Sequence, residues 1–375
     1  MRLSWLALSN VRNYASLDFQ PAPGLNVFIG ANAQGKSNLL EAISLLGTGK
    51  SFRTNREADL IASGFQIASV SGGAHIRAGS VNLGCTVTAT SRGIRKAYSA
   101  NGRAVRYAAF LGTLNVVTFV PGDLQLIAGA PSGRRRVLNG ALAQEQPLYY
   151  RDLVRYQKAL AQKSALLRSA DGPDADLMDV YNETLVSAGT ALMLARDRFV
   201  TAANAEARRA HAAWTGGRET LELRYEPNVP YEVPTGEAIG AAFALRLRTA
   251  AAAERSRRIP LAGPHRDDLG LLLDGRSLAA YGSQGQQRTA VLALKVAEYT
   301  VMHQRTGEAP LLLLDDVLSE LDAGRARAFL EGVEAYEQAF VTATHLPHDL
   351  PQSHVFTIEA AVLREIASPA CERVC

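Results

Sequence analysis

Cysteine is scarce in this chain: Cys85, Cys371 and Cys375 are its only three among 375 residues. Three thiols so placed cannot form a disulfide framework, so the fold must rest on a hydrophobic core, and a reducing, cytoplasmic setting is expected. The CxxxC of the tail has no second cysteine or histidine pair beside it, so it carries no expected metal chemistry and reads as a solvated terminus. Long apolar runs are missing as well. None approaches the length that spans a bilayer, and Met1–Leu8 continues into Asn10 and Arg12 without an apolar signal region or a small-residue cleavage site. The segment is therefore expected to be a first strand, and no membrane partner is expected. Charge of one sign is not abundant either: 40 Lys and Arg against 36 Asp and Glu leave a net charge of +4. That balance fits a polyanionic partner without establishing one. What is present, 47% hydrophobic and 20% charged residues, is ordinary globular material, and the length allows two or three units.

The most informative stretch is Gly30-Ala31-Asn32-Ala33-Gln34-Gly35-Lys36-Ser37, followed by Asn38. It follows the apolar run Leu25–Ile29 and leads into a helical pattern, the setting of a P-loop. Its glycines permit a tight turn that aims backbone N–H groups at a phosphate chain, and the helix adds the positive end of its dipole. Lys36 is expected on the β- and γ-phosphates of a nucleotide and Ser37 on Mg²⁺; the bland alternative is a turn before a helix.

Residues 1–120 carry short β-like runs at Ile67–Val70, Val81–Thr90 and Val116–Val120. Arg92, Arg95, Lys96, Arg103 and Arg106 surround Asn101-Gly102, a hairpin-turn signal, which predicts several cations on one hairpin or simply a solvated face. From about residue 146 the pattern turns helical. Tyr149, Leu153, Tyr156, Leu160 and Leu167 recur at three- and four-residue steps if Lys163 is admitted, and Tyr181, Leu185, Ala188, Leu192, Ala195 and Phe199 do so without interruption. Asp171-Gly172-Pro173-Asp174 breaks the two, predicting an antiparallel helix hairpin. A third helix is expected over 236–258, before Pro260. The division predicted is 1–145, an α/β part with the P-loop; 146–258, a helical arm; and 259–375, the rest of the α/β part.

The last part holds the second group of motifs. Pro310–Asp316 is an apolar strand ending in two carboxylates, the form of a Walker B segment next to a P-loop strand. Asp315 is expected to hold Mg²⁺ through water, and Asp316 to polarise the attacking water, as an acid there must. Both would be mere turn residues without the P-loop. Tyr281–Arg288 precedes another helical pattern, placing Ser283 and Gly285 at a helix start, a second anion site.

That segment resembles the signature motif of the ABC ATPases, in which Ser283, Gly285 and Gln286 would meet the γ-phosphate held by a second subunit. Ser319-Glu320-Leu321-Asp322 resembles the D-loop, and His345, past the strand Phe340–Thr344, the switch histidine. Together with Leu8–Tyr14, Gly24–Asn26, Asn38–Ile43, Lys50–Thr54, Phe119–Leu124, Arg134–Arg136 and Gly263–Asp268, the arrangement resembles the RecF family of recombinational-repair ATPases, in the SMC-like branch of the ABC proteins. The resemblance covers nearly the whole chain. It implies an α/β P-loop ABC-type head with an inserted short helical arm, a homodimer closed by ATP and Mg²⁺, and binding to double-stranded and gapped DNA near the nucleoid. It also implies work with RecO and RecR to load the recombinase RecA. Arg12 would approach the nucleotide phosphates, and Gln125 is the residue nearest a Q-loop position. Asp316 is one methylene shorter than the glutamate common at its place, which predicts slow hydrolysis that resets a clamp. Lys50, Arg53, Arg92, Arg95, Lys96, Arg103 and Arg106 are the DNA-contact candidates. Two rival classes share the nucleotide motifs: a transporter motor, which would lack the inserted hairpin, and a long-armed SMC-like structural ATPase, which would need far longer arms.

Overall fold

The structure, a computed structural model, describes residues 1–169, 174–317, 336–346 and 352–366. Ser319-Glu320-Leu321-Asp322, Cys371 and Cys375 lie outside the described residues, as does most of the Asp171–Asp174 break. The chain divides into two compact units, Met1–Asp123 with Glu298–Cys375, and Leu124–Ala297. The helical section 146–258 lies inside the second.

The first stretch runs β1 (Arg2–Val11), β2 (Tyr14–Phe19), β3 (Gly24–Ile29), α1 (Lys36–Thr48), β4 (Ile67–Ile76), β5 (Gly79–Thr90), β6 (Gly93–Ala100), β7 (Arg103–Val105), α2 (Tyr107–Phe110) and β8 (Val116–Phe119). The second unit contributes α3 (Gln125–Ala128), α4 (Pro131–Glu145), α5 (Pro147–Leu167), α6 (Ala175–Thr215), β9 (Leu221–Glu226), α7 (Gly236–Arg257), β10 (Asp268–Leu273), β11 (Arg276–Ser277) and α8 (Leu278–Tyr281). It also holds the first turns of α9 (Gln284–Thr306); β12 (Leu311–Leu314), β13 (Gln338–Ala343), β14 (Ser353–Glu359) and β15 (Val362–Ile366) return to the first unit.

Two sheets build the first unit. One is antiparallel, in the order β2-β1-β4-β5-β6-β7; the other runs β15-β14-β3-β13-β12-β8, all parallel except the edge strand β15. A parallel strand covered on both faces reads as a continuous apolar run rather than an alternating one, and every residue of β12 is buried. Helix α1 packs against strands of both sheets and is buried almost all round, as a helix between two layers must be. Aromatic rings fill the core beside it: Phe28 of β3 stacks on Phe340 of β13 at 6.3 Å, and Phe19 meets Phe356 edge-on at 5.1 Å. The strand order corrects one expectation. The Walker B strand β12 is not next to the P-loop strand β3; β13 stands between them.

The second unit is helical with a three-stranded sheet, β11-β10-β9. Helices α5 and α6 are antiparallel: Arg196 of α6 reaches Tyr149, while Gly189 faces Tyr156. Gly189 is required there, because a Cβ would stand 2.5 Å from the Phe243 ring of α7. Asp174 caps α6, accepting from Leu177 N at 3.0 Å. The helix is longer than the apolar series predicts, 41 residues or about 60 Å. Its buried stripe continues past Phe199 through Ala203, Ala207 and His211. Among the described residues, no helix is long and apolar enough to cross a membrane.

Candidate functional site

Because β3, β13 and β12 are parallel and in register, the segments that follow them leave from one edge of the sheet. The P-loop follows β3, Asp315 and Asp316 follow β12, and Thr344 and His345 follow β13. Loops at the carboxyl edge of a parallel sheet are where ligands of such folds bind. Here the P-loop residues turn from β3 into α1. Ala31, Asn32 and Ala33 are exposed, Ala33 with a φ of 68°, and Gly35 turns the chain into α1 at a φ of 119°. A side chain at Gly35 would strike Asn13 and Tyr14, so the turn needs glycine twice over. Tyr14 OH donates to Gly35 O at 3.1 Å, and Ala360 N to Gln34 Oε1 at 2.6 Å, bracing the loop from both sides.

The charged groups converge below it. Lys36 Nζ folds back to donate to Gly30 O at 2.6 Å and Ala31 O at 2.9 Å. Burial holds its pKa below the ordinary lysine value, against the pull of Asp316 and Asp315. Ser37 Oγ donates to Asp315 Oδ1 at 2.7 Å, joining residues 278 apart. Thr342 of β13 donates to the same oxygen at 2.9 Å and accepts from Asp316 N at 2.8 Å. That last bond holds Asp316 at a φ of 52°, a left-handed conformation that Asp tolerates better than most residues. His345 is exposed just beyond β13.

Arg12, just past the end of β1, is partly buried. Its guanidinium is bidentate on Glu41 of α1, at 2.8 and 2.7 Å, and Glu41 has no exposed surface. The pairing raises the Arg12 pKa. Ser51 also donates to Glu41, and Arg53 to Asn38, whose own amide donates to Asn13 at 2.7 Å. The Lys50–Thr54 segment is thus tied to the helix that follows the P-loop.

Ser283, Gly285 and Gln286 lie in the second unit, at the start of α9. Ser283 Oγ accepts from Gln286 N at 3.3 Å while Ser283 N donates to Gln286 Oε1 at 2.8 Å. This reciprocal pair is a capping box, and it leaves Ser283 exposed at the helix end. Gln287 Nε2 donates to the carbonyls of Leu278 and Gly282, both at 3.2 Å, fixing the turn before it. Gln125 opens the short helix α3.

The basic residues are spread more widely than the sequence predicts. Asn101 and Gly102 do turn β6 into β7, with φ of 50° and 74°, but Arg92 belongs to the opposite turn, between β5 and β6. Arg92, Arg95, Arg103 and Arg106 are exposed. Lys96 points to the other face, where its ammonium meets Glu57 at 2.6 Å and Gly49 O at 3.0 Å, so it is a structural cation. Lys50 and Arg53 are exposed, Lys50 with its ammonium 5.8 Å from the centre of the Tyr107 ring.

Two residues of this site escape sequence reasoning. Thr342 reads as one residue of an apolar strand, and only the placement of β13 beside β12 reveals its bonds to the Asp315 carboxylate and the Asp316 backbone. Glu41 reads as a polar position on a helix, and its partners, Arg12 and Ser51, come from elsewhere in the chain.

Comparison with known proteins converges on one family. The family model described as the RecF/RecN/SMC N terminal domain matches residues 2–354. The chain is 40% identical to the DNA replication and repair protein RecF of Thermosynechococcus vestitus, covering 99% of each, and 42% identical to that of Symbiobacterium thermophilum, covering 92% of each. A solved structure of the recombination mediator protein RecF-ATP in the RecFOR pathway superimposes with a TM-score of 0.89, at 30% identity and 98% coverage of both chains. An Smc head domain from Pyrococcus furiosus, 17% identical with a TM-score of 0.56 and covering 97% of this chain and 96% of its own, shares the fold. The P-loop, the paired carboxylates and the signature segment thus sit in an SMC-like ABC ATPase head, and the chain belongs to the RecF family.

Proposed function

We propose that this chain is an ATP-operated latch of DNA repair: two copies close on ATP, hold DNA, and reopen after slow hydrolysis. The observation that carries the reading is the 2.7 Å bond from Ser37 Oγ to Asp315 Oδ1 at the mouth of the P-loop. Family membership supports it, since relatives are DNA replication and repair proteins and one solved structure is of RecF-ATP. Gly30 to Asn38 cradle the triphosphate through backbone N–H groups, and Lys36 swings from the carbonyls of Gly30 and Ala31 to the phosphates. Ser37 and Asp315 offer a hydroxyl and a carboxylate, hard oxygen donors that fit Mg²⁺. Bound there, Mg²⁺ would neutralise phosphate charge. Asp316 orients the attacking water, His345 and Arg12 monitor the phosphates, and Thr342 fixes the Asp315 carboxylate and the Asp316 backbone. Ser283, Gly285 and Gln286 of one subunit cover the nucleotide of the other, so binding energy goes into association. DNA is held through its phosphates by Arg92, Arg95, Arg103 and Arg106, with Lys50 and Arg53, giving steep salt dependence and little sequence preference. Work with RecO and RecR to load RecA belongs to the same proposal and is supported by the likeness to RecF of the RecFOR pathway.

The test is sedimentation velocity with and without Mg-ATP, with fluorescence anisotropy on gapped and blunt DNA in parallel. An ATP-dependent dimer that binds gapped DNA, and that is lost in Lys36→Arg, is expected. Turnover should stay below about 10 per second, the median for enzymes. A parent chain that shows no ATP-dependent dimer overturns the latch, and an unchanged ATP-dependent dimer in Lys36→Arg removes Lys36 from its assigned role.

A further inference from the structure

The signature segment is held by a residue that no motif contains. Gln286 uses its amide oxygen to accept from Ser283 N at 2.8 Å, and its amide nitrogen to donate to Glu219 Oε1, also at 2.8 Å. Glu219 follows the end of α6, after the Gly216-Gly217 turn, where Gly217 N donates to Ala212 O at 2.9 Å. Its other oxygen lies 3.9 Å from Nε2 of His211, a buried residue of α6. The backbone around it is pinned as well: Thr220 N donates to Asp274 Oδ1 at 2.9 Å, and Asp274 N to Thr220 O at the same distance.

An amide side chain has two faces that differ only in which atom donates. A carboxylate can only accept, so Glu219 forces the nitrogen of Gln286 toward α6 and the oxygen toward Ser283. Without that choice the amide could turn over and present N–H₂ to the Ser283 N–H, a donor to a donor. The capping box would then lose one of its two bonds, and the turn carrying Ser283 its fixed orientation.

We infer that Glu219 is a positioning residue: it holds Gln286 in the one amide orientation that keeps Ser283 aimed outward from α9, and so couples the end of the long arm helix to the ATP-operated contact. The inference rests on the reading of Ser283 as a partner-nucleotide contact. Its effect belongs to dimer closure and not to nucleotide capture, which occurs at Lys36, Ser37 and Asp315.

The experiment compares Glu219→Ala, Glu219→Gln and Ser283→Arg in the full chain. Three readouts are taken: affinity of the protomer for a fluorescent ATP analogue at concentrations too low for dimerisation, the ATP-dependent dimerisation constant by sedimentation, and thermal unfolding. Glu219→Ala should weaken dimerisation about tenfold with analogue binding unchanged, while the loss of one hydrogen bond within the protomer lowers the unfolding temperature by only a few degrees. Glu219→Gln, whose amide oxygen can still accept, should restore most of the loss. A Glu219→Ala protein that dimerises like the parent, while Ser283→Arg does not, overturns the role of Glu219 and leaves the latch standing. If Ser283→Arg also dimerises normally, the signature reading itself fails and the inference falls with it. Equal loss of dimerisation and unfolding temperature in both Glu219 variants would mark a merely structural residue, and likewise overturn it.

Discussion

The two units handle buried polarity in opposite ways. In the first, polar groups gather at the ends of parallel strands, beside exposed loop residues Ala31 to Ala33, where a ligand reaches them. In the second, they are sunk among helices, where other groups of the same unit meet them. Arg196 is 2% exposed and donates to Asp267 Oδ2 at 2.8 Å, to Pro264 O at 2.7 Å and to Asn139 Oδ1 at 2.9 Å. Lys163 and Glu254 form a second pair at 2.7 Å, with side chains 1% and 3% exposed. Groups of the first kind cost stability to keep available for a substrate. Those of the second kind are paired with an opposite charge and specify how the helices meet.

The largest break in that comparison should come from Arg196→Met. The change leaves Asp267 buried, still accepting from Tyr225 OH and Asn228 N, but without its counter-charge. Removing one partner of a buried pair costs about 3–5 kcal/mol. Trp214 lies at the end of α6 and Trp5 in β1, so each unit has its own fluorescent reporter. Urea unfolding followed through Trp214, in a Trp5→Phe background, should shift to much lower denaturant, while unfolding followed through Trp5, in a Trp214→Phe background, moves little. A Trp214 transition that stays in place would mean that the network does not hold the second unit together.

A smaller effect is expected from pH. His265 Nδ1 shares a hydrogen bond with Tyr156 OH, 2.6 Å away, and burial pushes the His265 pKa down from 6.5 to about 4. Burial also holds the Tyr156 proton in place by raising its pKa. Between those two values the unfolded chain takes up a proton that the folded chain refuses. This contribution is therefore intact above pH 6.5 and is lost as pH falls toward 4, in all about 3 kcal/mol. Unfolding midpoints through Trp214 should drop across that window and do so less steeply in His265→Gln. Equal slopes would remove His265 from the acid sensitivity of the second unit.

The same contrast explains which features the sequence makes legible. The P-loop, the Asp315-Asp316 pair and the Ser283 segment are short, and their chemistry depends on backbone turns and near neighbours, so spacing alone exposes them. The α/β class, the antiparallel α5 and α6, and α7 near 236–258 follow equally from local pattern. Pairing is what stays hidden. Lys163 looks like a flaw in the α5 stripe until Glu254 supplies its charge. Ala195 fits the apolar series of α6, yet Arg196 is the buried neighbour, because Asp267, Asn139 and Tyr149 satisfy it there. Helix α6 runs on past Phe199 on alanines, whose periodicity carries little hydrophobic signal. Strand order is silent as well, so β13 between β3 and β12 cannot be read from apolar runs.

Thr342 is where that hidden order meets the chemistry, and it gives the mildest and most selective test. Its hydroxyl ties β13 to both residues of the pair, donating to Asp315 Oδ1 at 2.9 Å and accepting from the backbone N of Asp316 at 2.8 Å. Thr342→Val keeps the shape and removes both bonds, at a cost of about 1–2 kcal/mol in stability, since Asp315 retains Ser37. Asp316 loses the bond that holds its left-handed backbone, so hydrolysis should fall well before nucleotide affinity does. Single-turnover hydrolysis and equilibrium binding of ATP separate the two. A variant that hydrolyses ATP at the parent rate would show that the parallel sheet alone positions Asp316. A variant that loses affinity and hydrolysis together would assign Thr342 to the nucleotide pocket and not to the water-activating group.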